Sequence, residues 1–304
     1  MRVAAGDIGT NSTRLLIAEV AGERVTPLER RVVVTGLGAG VDRAGRLGEA
    51  GVARTLEVLA GYAGAARQAG AAALRVVATA AVRAAEDREE FLDRAAAALG
   101  VRPEVISGEE EAVLSFEGAT SGLVGPAPYL VIDVGGGSTE FVFGTAAPDL
   151  AHSVDLGSRR LTERCLPGRP AGPAAVEAAR RAAAAAFAAV GLPGIPGTVV
   201  GVGGTYTALA AIALGLPAYD PERVHGAVVT LGGLDALVAR LAGMSLAAIA
   251  ALPSLDPARA PVLLGGAVVG AEALRRSGRD EVVVSEADLL DGIARRLAGV
   301  YGCA

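Results

Sequence analysis

Tryptophan is absent from this 304-residue chain, and aromatic residues make up only 3% of it. So few rings provide no stacking platform for single-stranded nucleic acid. No run of Lys or Arg occurs, and the net charge is −5. The electrostatic footprint of a binder of nucleic acid or of an anionic membrane is therefore missing, and an anionic substrate has to be held by local devices. Two cysteines, Cys165 and Cys303, cannot build a disulfide framework and neither lies in a CxxC pair. They read as reduced thiols in a cytoplasmic protein. His152 and His225 stand apart from any Cys or carboxylate pattern with metal spacing and read as structural. No charge-free apolar stretch is long enough to span a bilayer, and Asp7 interrupts the first one too early for a signal peptide. Neither a GxSxG serine nor a GxxxxGK[ST] loop occurs, which argues against a triad hydrolase and a P-loop protein.

The length exceeds the usual size of a single core, so two domains are expected. Val3 to Gly6, Arg14 to Val20 and Arg24 to Val34 alternate at strand period. Helical spacing follows over residues 48–70, then a strand at 74–79, a helix over 87–100 ending at a glycine, and a strand at Pro103 to Ile106. The second half repeats that order. Strands are expected at 129–134 and 139–144, with a third near 150–157, a long helix over 173–191 and a strand at 198–205 running into a Gly turn. A late strand at 281–286 and a closing helix complete the pattern. Alternating strands and helices indicate α/β sheets with helices on both faces. The repeated order fits a duplicated domain, with the boundary near the Gly-, Pro-, Ser- and Thr-rich stretch 117–128.

The duplication is plainest in one motif. "GDIGTNSTRLL" at 6–16 returns as "IDVGGGSTEFV" at 132–142, with Asp7 on Asp133. A glycine turn brings backbone N–H groups close to a ligand, and Ser and Thr add hydroxyls, which together suit phosphate oxygens. An Asp at the strand end repels phosphate and so suits a divalent cation or a water beside it. One copy alone reads as hairpin chemistry; two copies in register favour the phosphate reading. "GVGGT" at 201–205 leaves a strand and enters a helix, which is either a plain turn or another anion site. In "ISGEEEAVLSF" (106–116), Ser107 and Glu110 read as a capping box and acidic residues in the first turn suit the helix dipole. That leaves Glu111, a candidate general base. Arg83 follows an apolar strand and is either a solvated cation or a planar fork for a terminal phosphate.

Taken in order, "GDIGTNST", "ISGEEEA", "VIDVGGGSTE" and "VGVGGT" resemble the exopolyphosphatase / guanosine pentaphosphate phosphatase (Ppx/GppA) family, within the actin, sugar kinase and Hsp70 superfamily. The resemblance covers essentially the whole chain. It implies an α/β fold of two ribonuclease-H-like domains, 1–121 and 122–304, with the active site in the cleft between them. By the same resemblance Glu111 is the catalytic base and Glu140 a second essential acid near the metal or the attacking water. Asp133 and Asp7 match acidic residues around a magnesium site, which Glu140 shares. Asn11, Ser12, Arg83, Gly136, Gly137 and Ser138 match groups that hold terminal phosphates, and Gly203, Gly204 and Thr205 form the third phosphate loop. The expected cofactor is Mg2+ and the expected reaction is hydrolysis of terminal phosphates from inorganic polyphosphate. Rival readings are the same chemistry on pppGpp, a nucleotide-dependent kinase of the superfamily, or a non-catalytic sensor of polyphosphate or (p)ppGpp. The segment "VSEADLLDG" (284–292) departs from the family, with Ala287 and Leu290 where Gly and Arg are frequent. Larger members carry a further C-terminal helical domain, so short polyphosphates are the expected substrate here. Apolar helical faces leave room for a homodimer.

Overall fold

Strand β1 (Arg2–Ile8) pairs antiparallel with β2 (Ser12–Ala21), which pairs antiparallel with β3 (Arg24–Val34). In this computed structural model, which describes residues 1–121 and 125–301, the meander opens a five-stranded mixed sheet. The register slips between Ile17 and Ala18, opposite Glu29 and Pro27. Pro27 has no N–H for a ladder, and β3 is an edge strand, where such a residue is tolerated. The chain then runs through α1 (Val41–Ala44), α2 (Glu49–Gln68), β4 (Ala73–Ala78), α3 (Ala80–Ala84), α4 (Arg88–Leu99), β5 (Glu104–Val105) and α5 (Gly108–Ala119). β4 and β5 add in parallel, giving the order β3-β2-β1-β4-β5.

Period-two alternation assigns the strand residues to two faces. Ala4, Ile8, Leu15 and Ile17 pack with Val52, Leu59 and Tyr62 of α2 and with Phe91 and Leu92 of α4. Val3, Ala5, Leu16 and Ala18 face the other way and pack with Leu114 of α5. The remaining cover on that face comes from the far end of the chain, α13 (Leu289–Tyr301), whose Leu289, Leu290, Ile293 and Leu297 join the same cluster. Burying each of these large side chains is worth about 1.5–3 kcal/mol.

The second sheet repeats the plan. β6 (Tyr129–Val134), β7 (Thr139–Gly144) and β8 (Pro148–Val154) form an antiparallel meander. Helices α6 (Ser158–Cys165) and α7 (Pro173–Phe187) follow, then β9 (Thr198–Val202) and α8 (Gly203–Ala213). α9 (Pro221–Val224), β10 (Val228–Thr230), α10 (Leu231–Ala242), α11 (Leu246–Ala250), a 3-10 turn at Pro257–Arg259, α12 (Ala260–Ser277) and β11 (Glu281–Val284) complete it. The sheet order is β10-β11-β9-β6-β7-β8, with β9 parallel to β6 and β11 parallel to β9. Five of its strands thus reproduce the first sheet's connectivity. Phe141 and Phe143 of β7 lie in the large apolar cluster of this unit, and the rings of Phe141 and Phe187 meet edge-on at 5.0 Å.

The chain forms two compact units, Met1–Ser121 with Ala287–Ala304, and Gly122–Glu286. The expected boundary places everything after residue 121 in the second domain. α13 instead belongs to the first unit, because its apolar stripe covers the sheet face that α5 leaves bare. α5 also continues to Ala119, so the start of the stretch read as a boundary is helical. Two readings fall partly or wholly outside the described residues: the rest of that boundary at 122–124, and Cys303. Two strands are shorter than their patterns, Glu104–Val105 and Glu281–Val284. The helix read over 173–191 ends at Phe187, ahead of the Gly191-Leu-Pro sequence that cannot continue it. No described helix is long and apolar enough to cross a membrane.

Candidate active site

In the first unit the residues singled out lie at the ends of β1, β4 and β5. Gly9 N–H donates to the Ser12 carbonyl at 3.0 Å and closes the β1–β2 turn. The carbonyls of Thr10 and Asn11 in that turn accept from Gly38 and Gly36 at 2.8 and 2.9 Å, so the following loop braces it. Asn11 is buried and Ser12 half-buried. Arg83 sits on α3, which follows β4 after a single residue. Its guanidinium donates to the Ile106 carbonyl at 2.8 Å and to Glu111 Oε2 at 3.3 Å. The structure therefore brings together two residues that the sequence treated separately, and Glu111 is buried at the head of α5.

Ser107 caps α5, accepting from the Glu110 N–H at 3.1 Å. The reciprocal half of the expected capping box is replaced: the Glu110 carboxylate accepts from Arg75 at 3.0 Å. Arg75 also holds Glu104 at 2.8 Å, so β4 and β5 fix the start of α5 by charge.

Asp7 stands opposite Arg14 across β1 and β2, and Arg14 Nε donates to Asp7 Oδ2 at 2.8 Å. The other oxygen, Oδ1, is buried and has no hydrogen-bond partner. Burial pushes the Asp7 carboxyl above its ordinary range, and Arg14 offsets this only in part. Arg14 reaches on to Asp288 with Nη1.

The second unit differs at the equivalent place. Asp133 of β6 stands opposite Glu140 of β7, so two carboxylates leave the same face of a buried sheet. Ser153 of β8 donates to Glu140 Oε1 at 2.8 Å. The turn between β6 and β7 closes with Gly135 N–H on the Ser138 carbonyl at 3.1 Å. The carbonyls of Gly135 and Gly136 accept from the N–H groups of Ser158, Arg159 and Arg160 at 2.9 to 3.1 Å. The first amides of α6 are thereby satisfied by the glycine turn.

The third loop has a different form from the expected Gly turn. β9 ends at Val202 and α8 begins at Gly203 with no intervening loop. Gly203 has φ +79°, a left-handed conformation that favours glycine. A Cβ there would lie 2.5 Å from Asp133 Oδ1, which places that carboxylate against the start of α8. The Thr205 hydroxyl, read as a phosphate ligand, donates instead to the Val134 carbonyl at 2.9 Å and is buried. It ties α8 to β6, while its backbone N–H remains one of those that the helix itself does not satisfy.

Sequence reasoning missed Arg259. A Cβ on Gly204 would fall 2.1 Å from Arg259 Nη1, so the guanidinium lies against the first turn of α8. A residue just before a distant helix gives no local signal of that placement. His225 Nδ1 accepts from the Glu286 N–H at 3.2 Å, the structural role expected of it.

Residues 16–298 match the model of the Ppx/GppA phosphatase family. The chain belongs to the Ppx/GppA phosphatase family. It is 42% identical to a Mycobacterium tuberculosis protein named exopolyphosphatase 2, over 98% of this chain and 99% of that one. A Ppx/GppA family member from Aquifex aeolicus has a crystal structure that matches with a TM-score of 0.82 at 30% identity, covering 99% of this chain and 98% of its own. A crystal structure described as an exopolyphosphatase-like protein matches with a TM-score of 0.91 at 37% identity, over 98% of this chain and 100% of that one.

Proposed function

We propose that this protein is an exopolyphosphatase, hydrolysing the terminal phosphoric anhydride of inorganic polyphosphate. The observation that carries the reading is the Arg83–Glu111 pair, which holds a fork-shaped cation and a carboxylate together at 3.3 Å. Glu111 accepts a proton from water as the water oxygen bonds to the terminal phosphorus. The bridging P–O bond breaks, and the products are orthophosphate and a chain one unit shorter. Arg83, oriented by the Ile106 carbonyl, offers its remaining donors to the phosphoryl oxygens. Within the first unit, Asn11 and Ser12 on the β1–β2 turn hold phosphate oxygens; in the second unit, the turn of Gly136, Gly137 and Ser138 offers phosphate-binding groups of the same kind. The first N–H groups of α8 at Gly203, Gly204 and Thr205, with Arg259 beside them, form a further anion cradle. All 28 basic residues of the chain are arginine, the side chain whose planar donors suit phosphate best. Phosphoryl transfer of this kind rests on positioning and charge stabilisation, so no covalent nucleophile is needed.

Asp133 and Glu140 fit a magnesium ion: two hard oxygen ligands, buried and directly opposed, where the first unit has an arginine instead. Among the described residues no cluster of three His, Cys, Asp or Glu side chains converges. A magnesium ion here would take two carboxylates and complete its shell with water and phosphate oxygens, as this ion commonly does. When bound it supplies charge neutralisation for the bridging oxygens. Asp7 is reassigned from that site to the Arg14 ion pair, since the positive charge beside it is already provided.

Phosphate release from tripolyphosphate, a long polyphosphate and pppGpp, each with and without magnesium, tests the reading. Turnover of polyphosphate, fastest on the short chain, supports it. Turnover of pppGpp alone replaces it with the guanosine pentaphosphate reading. Tight binding without release in the presence of magnesium replaces it with a sensor.

A further inference from the structure

In the segment 284–292, Asp288 is a buried acidic residue to which the reaction above assigns no part. Leu290 lies in the apolar cluster beneath the first sheet. Two residues earlier, Asp288 reaches Arg14, and every polar group of Asp288 is engaged. Oδ1 accepts from the Leu290 N–H at 3.0 Å and caps α13. Its N–H donates to Asp291 Oδ2 at 2.9 Å, and its carbonyl accepts from Asp291 and Gly292 at 3.0 and 3.2 Å. Oδ2 accepts from Arg14 Nη1. The Arg14 guanidinium is thus held between two buried carboxylates, Asp7 through Nε and Asp288 through Nη1.

Both sides of the first unit's site meet at this residue. On one side, Asp7 lies against the β1–β2 turn, its Oδ2 3.5 Å from where a Cβ on Gly9 would stand. On the other, α5 presses directly on the Asp288 backbone. A Cβ on Gly118 would lie 1.9 Å from the Asp288 carbonyl oxygen, and one on Gly292 would lie 2.1 Å from the Leu114 carbonyl oxygen. α5 is the helix that begins with Glu111.

We propose that Asp288 is a positioning residue for the reaction. Its carboxylate fixes Arg14, and through Arg14 it fixes Asp7 and the turn carrying Asn11 and Ser12, relative to the helix that carries Glu111. The role of those three residues rests on the exopolyphosphatase reading above; the hold on Arg14 does not.

Two variants separate reach from helix capping. Asp288→Ser keeps an N-cap oxygen for α13 but is too short to meet Arg14. Asp288→Asn also keeps a cap oxygen, but its other atom is an amide NH2, a donor facing the Arg14 N–H, so the hold on Arg14 is lost in both. The expected result on tripolyphosphate for the serine variant is a fall of about tenfold in kcat with KM moved less than about twofold, at a Tm close to wild type. The asparagine variant is slowed to a similar extent, which sets the loss of the Arg14 contact apart from loss of the cap. In parallel, the Arg14 Nε–H resonance, assigned by its loss in Arg14→Lys, is sharp and slow to exchange in wild type and broadened in the serine variant. The proposal is overturned by a serine or an asparagine variant with wild-type kcat, or by an unchanged Arg14 resonance. Should wild type release no phosphate from tripolyphosphate, the functional reading fails on its own, and the Arg14 resonance still decides whether Asp288 holds that side chain.

Discussion

Asp133 and Glu140 stand directly opposite each other on paired antiparallel strands, at the position where the first unit sets Asp7 against Arg14. The two sheets share one plan and differ there in the sign of one charge. Opposed carboxylates on a buried sheet face are unfavourable unless a cation or a proton is shared between them. Glu140→Gln is therefore expected to raise the magnesium concentration for half-maximal phosphate release by at least about tenfold. A magnesium titration of the variant checks this, and an unmoved midpoint would remove Glu140 from the metal site.

Glu111→Gln keeps the size of the side chain and an oxygen that can accept from Arg83, but it cannot take a proton from water. The expected loss in kcat is about a hundredfold to ten-thousandfold, with the melting temperature within a degree or two of wild type. Steady-state phosphate release together with thermal unfolding measures both, and a variant keeping a tenth of its kcat would reject the base assignment.

Gly203 and Gly204 separate two kinds of close approach. A methyl on Gly204 meets the flexible end of Arg259, so Gly204→Ala is expected to leave the fold intact and raise KM by roughly fivefold or more through displacement of that guanidinium. A methyl on Gly203 meets both a left-handed φ and the Asp133 carboxylate. Gly203→Ala should lower stability as well as activity. Parallel kinetics and unfolding of the two variants test the distinction, which fails if their melting temperatures fall equally.

Much of this arrangement is legible in the sequence because it is local. Alternating strands, the order of elements and the repeated Asp-Gly-Ser-Thr turns depend on neighbours in the chain, and Ser107 announces the start of α5. Glu111 stood out because capping chemistry accounts for Glu110 and leaves its neighbour over. What could not be read depends on distant partners. Arg75 claims Glu110, Asp288 claims Arg14 across 274 residues, and Arg259 rests on Gly204. Leu289, Leu290 and Ile293 announce a helix with an apolar face, but no local pattern says which sheet that face will cover.

The close packing of α5 on α13 admits no methyl. Gly118→Ala places a Cβ 1.9 Å from a backbone oxygen that no rotamer change can move. A destabilisation of about 2–3 kcal/mol is expected, read as a lower denaturant midpoint at unchanged slope. An unchanged midpoint would show that the two helices separate freely.

The buried Asp291 gives the fold a pH dependence opposite to that of an exposed ion pair. Burial, with Asp288 nearby, holds its carboxyl above the ordinary value of 3.8 despite Arg30, whose Nη2 reaches both of its oxygens. The folded state therefore keeps a proton that the unfolded chain has already released. This contribution favours the fold below the ordinary value and is lost as pH rises through the raised one. Asp291→Asn keeps one oxygen that can accept from both Arg30 Nη2 and the Asp288 N–H, and removes the titration. The stability of wild type relative to this variant is expected to fall as pH rises from about 4 toward neutrality. Denaturant unfolding across that range checks it, and a constant or rising difference would show that pairing with Arg30 outweighs burial.

The return of α13 to the first unit sets an order of events in synthesis. Residues 1–121 leave the ribosome with one sheet face covered only by α5, and the stripe that completes it is translated only after the whole second unit. The second unit, Gly122–Glu286, is contiguous and can close while the first is still waiting. During that interval Val3, Ala5, Leu16 and Ala18 lack their final cover, so the nascent first half is the part most in need of a chaperone. A ribosome stalled before residue 287 would hold a finished second unit and an open first one.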